Sequence, residues 1–182
     1  LSGLSDATGY VGGMPTEGRA TIDASAATTV AFSVAAALFH RKRTGEGQHI
    51  DLSARESIGS LLGEMYLDHA MNGRNPARKG NEDDVMAPHN VYPCMDKDSW
   101  VSIAVGSERE WQAFCRVLGR PEWMTDVRFA DPHVRWKNRA VLYSAIAEWT
   151  RTRKPYDVMH GLQNAGVAAM PSMTSKDLFT DP

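Results

Sequence analysis

The stretch of residues 22–53 constrains the fold more than any other part of this chain. Between Val30 and Phe39 the only polar residue is Ser33. A helix built from that run presents apolar side chains on every face, so it is expected inside a folded body rather than on its surface. Asp23 stands at its entrance, where a carboxylate suits the positive end of the helix dipole and where Asp is also a common N-cap. Arg41, Lys42 and Arg43 crowd the far end, and Gly45 is placed to stop the helix. Residues 48–53, from Gln48 to Ser53, then alternate polar and apolar, which predicts a half-buried strand.

Upstream, residues 1–22 hold Gly3, Gly9, Gly12, Gly13 and Gly18 with Pro15, and read as a loop able to approach a ligand closely. Downstream, Ile58, Leu61, Leu62, Met65 and Tyr66 form one stripe and predict a helix over residues 54–72, ended by Gly73. Residues 74–90 mix charge with Pro and Gly and read as a linker or mobile loop. That divides the chain into 1–73, a joining segment 74–90, and 91–182. In the last part, residues 91–93 and 100–105 flank a polar turn at Asp96-Lys97-Asp98 and predict a hairpin. Ser107 with Glu110 makes a capping box for a helix carrying Trp111, Phe114 and Leu118. Further helices are expected over residues 135–150 and from Pro155 to Gly166, then a strand over 167–173 and a final turn capped by Thr174 with Asp177. The Trp and Phe residues read as core. The class is α/β, in detail a mixed α+β arrangement in which the second part follows the order β-β-α-α-α-β.

Composition narrows the function classes. A formal net charge of −2 lacks the basic excess of a general nucleic-acid binder. The longest apolar run, residues 30–39, is too short to span a bilayer, so no membrane partner is expected. Cys94 and Cys115 lack CxxC spacing, and the six histidines show neither HxH nor HExxH, so neither a disulfide framework nor a metal site is expected. A reducing, cytoplasmic setting fits.

Several motifs in fixed order carry a resemblance. They are Leu1-Ser2-Gly3-Leu4…Thr8-Gly9, Asp23 before its small-residue helix, Arg43-Thr44-Gly45-Glu46-Gly47-Gln48 with Ile50-Asp51, Gly80-Asn81, and Ala87-Pro88-His89-Asn90-Val91-Tyr92-Pro93. Trp100 to Val105, Glu110-Trp111, Arg135…Asn138, Glu148-Trp149-Thr150, Ala165-Gly166-Val167 and Asp177-Leu178…Asp181-Pro182 continue it. In this order they resemble the family III CoA-transferases of the CaiB/BaiF type, to which α-methylacyl-CoA racemase is related. The resemblance implies a helical part of the large domain joined to a small domain with a short sheet flanked by helices. It also implies an internal piece of a longer enzyme.

The resemblance further implies transfer of coenzyme A from an acyl-CoA to a free carboxylic acid. Asp23 would be the nucleophile that becomes an aspartyl-CoA thioester, with CoA as substrate and no covalently bound cofactor at rest. Gly80, Asn81, His89 and Asn90 would belong to a substrate or lid loop. Isomerisation of a 2-methylacyl-CoA is the alternative activity, with Asp23 and Glu108 as acid and base. A non-catalytic, self-associating remnant is the alternative outside enzymes. Interlocked family dimers, together with the helix over 30–39, lead to the expectation of a homodimer or larger assembly.

Overall fold

Helix α2 (Thr21–Thr44) forms as the apolar run requires, but at 24 residues it is much longer than that run. Thr28, Thr29 and Ser33 donate their hydroxyls to the carbonyls of Ala24, Ser25 and Thr29, each at 2.8 Å. The helix thereby satisfies these three hydroxyls itself. Counting uninterrupted apolar residues therefore understated it: by length and composition α2 is sufficient to cross a membrane, a test that core helices of larger proteins also pass. None of its residues is buried, and Phe32 and Phe39 are 74% and 63% exposed. The all-round cover expected for this helix is not supplied by the described residues of its own chain.

The computed structural model describes residues 3–16 and 21–181. Leu1, Ser2, Gly18 and Pro182, used in the expectations above, lie outside them. Contacts divide the chain into two units, Leu1–Gly80 and Asn81–Pro182.

In the first unit the glycine-rich segment is not wholly loop, because α1 (Leu4–Ala7) forms a single turn. The strand expected over 48–53 is absent. Those residues pair with no other strand, and alternation cannot hold a β conformation without a neighbour to complete its hydrogen bonds. The helix expected over 54–72 is interrupted. It forms α3 (Ala54–Gly59), a 3-10 turn (Ser60–Leu62) and α4 (Gly63–Asn72), with Gly59 and Gly63, poor helix formers, flanking the break. The change of phase splits the predicted stripe: Ile58 and Leu62 are buried, whereas Leu61 and Tyr66 are exposed. Helix α3 packs against α2, and α4 stops at Gly73 in the left-handed region.

In the second unit, β1 (His89–Pro93), β2 (Trp100–Ala104) and β3 (Ala168–Pro171) form an antiparallel sheet in the order β1-β2-β3. The hairpin turn places Asp98 in the left-handed region, and its carboxylate accepts the Trp100 indole N–H at 2.9 Å. Capping at Ser107 is as predicted. Its hydroxyl accepts the Glu110 N–H, the Glu110 carboxylate accepts the Ser107 N–H, and α5 (Glu108–Val117) follows. The helix expected over 135–150 is two helices, α6 (Pro132–Lys137) and α7 (Arg139–Thr150). They are parted at Asn138, whose side-chain amide donates to the carbonyls of Arg128 and Val134. Four α-helices, not three, therefore separate β2 from β3, with two 3-10 turns (Pro121–Met124 and Val127–Phe129) among them, the last helix being α8 (Pro155–Asn164). A capping box at Thr174 and Asp177 opens α9 (Ser175–Thr180).

The sheet buries Tyr92, Val101, Ile103 and Ala169 against Phe114, Leu142, Ile146 and Leu162 of the helices. Helix α7 completes the edge of β1, with the Tyr143 and Thr150 hydroxyls donating to the carbonyls of His89 and Pro93 at 3.1 and 2.8 Å. Burial pushes the Tyr143 phenol up to about 12. Trp111 stacks on Trp123 with centroids 6.2 Å apart, and Phe129 meets both edge-on. These aromatic residues are core, as expected, but Phe32, Phe39, Phe179 and Trp100 are not.

Candidate functional site

Asp23 lies in the first turn of α2 and is exposed. Its carboxylate makes no hydrogen bond or ion pair with a described residue, which leaves both oxygens available to a substrate.

Gly80 sits in the same unit, held by its N–H to the Gly9 carbonyl at 2.8 Å. Its φ of +63° is in the left-handed region, and a methyl group there would stand 2.7 Å from Tyr10 Cδ1. Gly80→Ala is therefore expected to cost about 1–3 kcal/mol in urea denaturation, from backbone strain plus the clash. Gly12 has φ +73° with open space around it, so Gly12→Ala isolates the strain alone and should cost less.

Asn81, His89 and Asn90 belong to the second unit and line one cavity of about 460 Å³ over the sheet. Strand register explains its shape. Across the open face, His89, Ala104 and Ala168 form one lateral row, and Val91, Ser102 and Met170 form the next. Beside His89 the row carries only methyl groups, and short side chains leave a hollow. His89 Nδ1 lies 2.9 Å from the Asn81 carbonyl oxygen. A carbonyl can only accept, so Nδ1 carries the proton and Nε2 is left for a ligand. Asn90 Oδ1 accepts the Val91 N–H at 2.8 Å. Ser102, Ala104, Ala168 and Met170 were not anticipated as lining residues. The outward alternation of small groups in β2 was the available signal, but it does not name the strand that pairs alongside.

Glu108 lies apart from that cavity's lining, at the start of α5. Its carboxylate accepts two N–H groups of Arg135, at 2.8 and 3.4 Å. Arg135 is 2% exposed, donates also to the Phe129 carbonyl at 3.0 Å, and lies 4.8 Å over the Trp111 ring. Glu108 thus balances a buried cation in this geometry. Among the described residues no group of three or more His, Cys, Asp or Glu is arranged to hold a metal ion.

The family model of CoA-transferase family III matches residues 1–182. The chain belongs to CoA-transferase family III. It is 38% identical over 147 residues to "Probable CoA-transferase Rv1866" of Mycobacterium tuberculosis, covering 81% of this chain and 18% of that one. It is 32% identical over 183 residues to the succinyl-CoA:mesaconate CoA-transferase of Haloarcula marismortui, covering 100% and 45%. The crystal structure of a CaiB/BaiF family protein from Brucella suis superposes with a TM-score of 0.86 at 31% identity, covering 100% of this chain and 48% of the other. This family III chain therefore spans less than half the length of these relatives. The mixed helical and antiparallel-sheet architecture expected from its sequence is that of its structural neighbour.

Proposed function

We propose that this chain carries the nucleophile of an enzyme that moves coenzyme A between an acyl-CoA and a free carboxylic acid. The family match across residues 1–182 carries the reading, and an exposed, uncommitted Asp23 at the head of α2 supports it. In the proposed cycle the Asp23 carboxylate attacks the donor thioester, forming a mixed anhydride and releasing CoA thiolate. The thiolate attacks the aspartyl carbonyl, giving an aspartyl-CoA thioester and freeing the donor acid. The acceptor carboxylate then displaces CoA as a second anhydride, and the thiolate attacks its acyl carbonyl, so that Asp23 is regenerated. Covalent participation divides one difficult acyl transfer into easier steps. The positive end of the helix dipole favours the ionised carboxylate that the attack needs.

A relative that transfers CoA from succinyl-CoA to mesaconate supplies the first donor and acceptor to try. With that pair, hydroxylamine should trap a hydroxamate on Asp23, read by peptide mass spectrometry. A label on another residue removes Asp23 from the nucleophile role. The racemase reading needs an acid or base free to exchange a proton, whereas Glu108 is occupied by Arg135.

The proposed setting is the cytoplasm, and α2 is read as a helix covered on assembly rather than a membrane span. A second copy is the proposed cover, since Phe32, Leu38, Phe39, Leu61, Leu67 and Met71 all stand exposed in the first unit. Light scattering at low micromolar concentration is expected to give at least a dimer mass. A monomer mass removes the assembly, and with it the non-catalytic, self-associating alternative.

A further inference from the structure

We propose that the cavity on the open sheet face binds a small organic acid with an apolar body, and that His89 reads its carboxyl group. The cavity lies wholly within the second unit, so the site does not depend on where Asp23 stands. Its volume of about 460 Å³ falls in the range of small-molecule sites. Chemistry then selects the ligand. No Lys or Arg lines the cavity, which disfavours phosphates. Ala104, Ala168 and Met170 offer hydrocarbon to the ligand's body.

Two polar side chains on the walls are already engaged. The Ser102 hydroxyl donates to the Met170 carbonyl at 2.9 Å, and the Gln163 amide donates to the Ala169 carbonyl at 2.8 Å. His89 differs. Its Nδ1–H is committed to the Asn81 carbonyl, which fixes the ring orientation, and Nε2 has no partner among the described residues. A neutral ring accepts the O–H of a carboxylic acid at Nε2, and a protonated ring donates to a carboxylate. In both states one proton bridges ring and ligand, so a single carboxyl is read. His89 is thus a specificity-determining residue. The inference rests on the transferase reading only for calling this ligand a substrate.

NMR of the full chain tests it without turnover, with butyrate as the probe. The His89 ring nitrogens should report the Nδ1–H tautomer. The methyl signals of Ala104, Ala168 and Met170 should shift saturably as butyrate is added, and not with pyrophosphate. His89→Phe should weaken butyrate binding about tenfold or more, and His89→Gln, which keeps a hydrogen-bonding amide, should recover part of the loss. Ala168→Leu, which fills the hollow from its open side, should abolish binding with the rest of the spectrum unchanged. Absence of saturable shifts, equal affinity in His89→Phe, or pyrophosphate binding at the same methyls overturns the proposal. Butyrate binding without a label on Asp23 removes the transferase reading and leaves the site. A label without butyrate shifts does the reverse.

Discussion

Asp23→Ala is expected to lower CoA transfer by about a thousandfold or more while leaving the protein folded. The size follows from the role: a covalent nucleophile has no substitute in its own cycle, and removing one typically costs orders of magnitude in turnover. The sparing of the fold follows from the surroundings. Asp23 is exposed and makes no bond to a described side chain, so its loss forfeits at most the helix-dipole contribution, below about 1 kcal/mol. Asp23→Asn separates charge from shape, since it keeps the side-chain volume but cannot form the anhydride. The measurement is turnover together with a thermal melt for each variant. Full activity in Asp23→Ala sinks the mechanism, and lost activity with a collapsed melt transfers the role of Asp23 from chemistry to folding.

The second large effect is expected at Arg135. Its guanidinium is buried with the Phe129 carbonyl, the Trp111 ring and the Glu108 carboxylate as its surroundings. Arg135→Ala removes those contacts and opens a cavity beside the stacked Trp111 and Trp123, and is expected to cost about 3–5 kcal/mol. Arg135→Met should cost less, because it refills much of that space with hydrocarbon, although like Arg135→Ala it leaves the Phe129 carbonyl and the Glu108 carboxylate without their donor. Glu108 is half exposed, so water can replace part of its contact, and Glu108→Gln should cost about 1 kcal/mol. Urea denaturation reads all three. If Glu108→Gln leaves stability untouched but abolishes activity, Glu108 returns to the chemistry and the racemase reading gains ground.

What could be read in the sequence was mostly local. Ser107 with Glu110 and Thr174 with Asp177 each form a closed hydrogen-bonded loop within four residues, so their motifs sufficed. The β1–β2 hairpin was legible for the same reason. The errors lie where one segment needs another. Residues 48–53 have the alternation of a strand but no neighbour to pair with. Asn138 breaks a continuous helical pattern because its amide reaches back to Arg128, a contact no periodicity announces. The candidate site divides along the same line. Asp23 and His89 were both named through motif order. The cavity beside His89 depends on β3 lying next to β2, and the Glu108–Arg135 pair spans 27 positions.

The hydroxyls that fold back onto the carbonyls of α2 set the thermodynamic character of whatever covers that helix. With Thr28, Thr29 and Ser33 satisfied inside the helix, a covering surface must match shape and supply almost no hydrogen bonds. Such a contact is dry. It should form with a large negative heat-capacity change, weaken on cooling and tighten in sulfate, with little response to moderate sodium chloride.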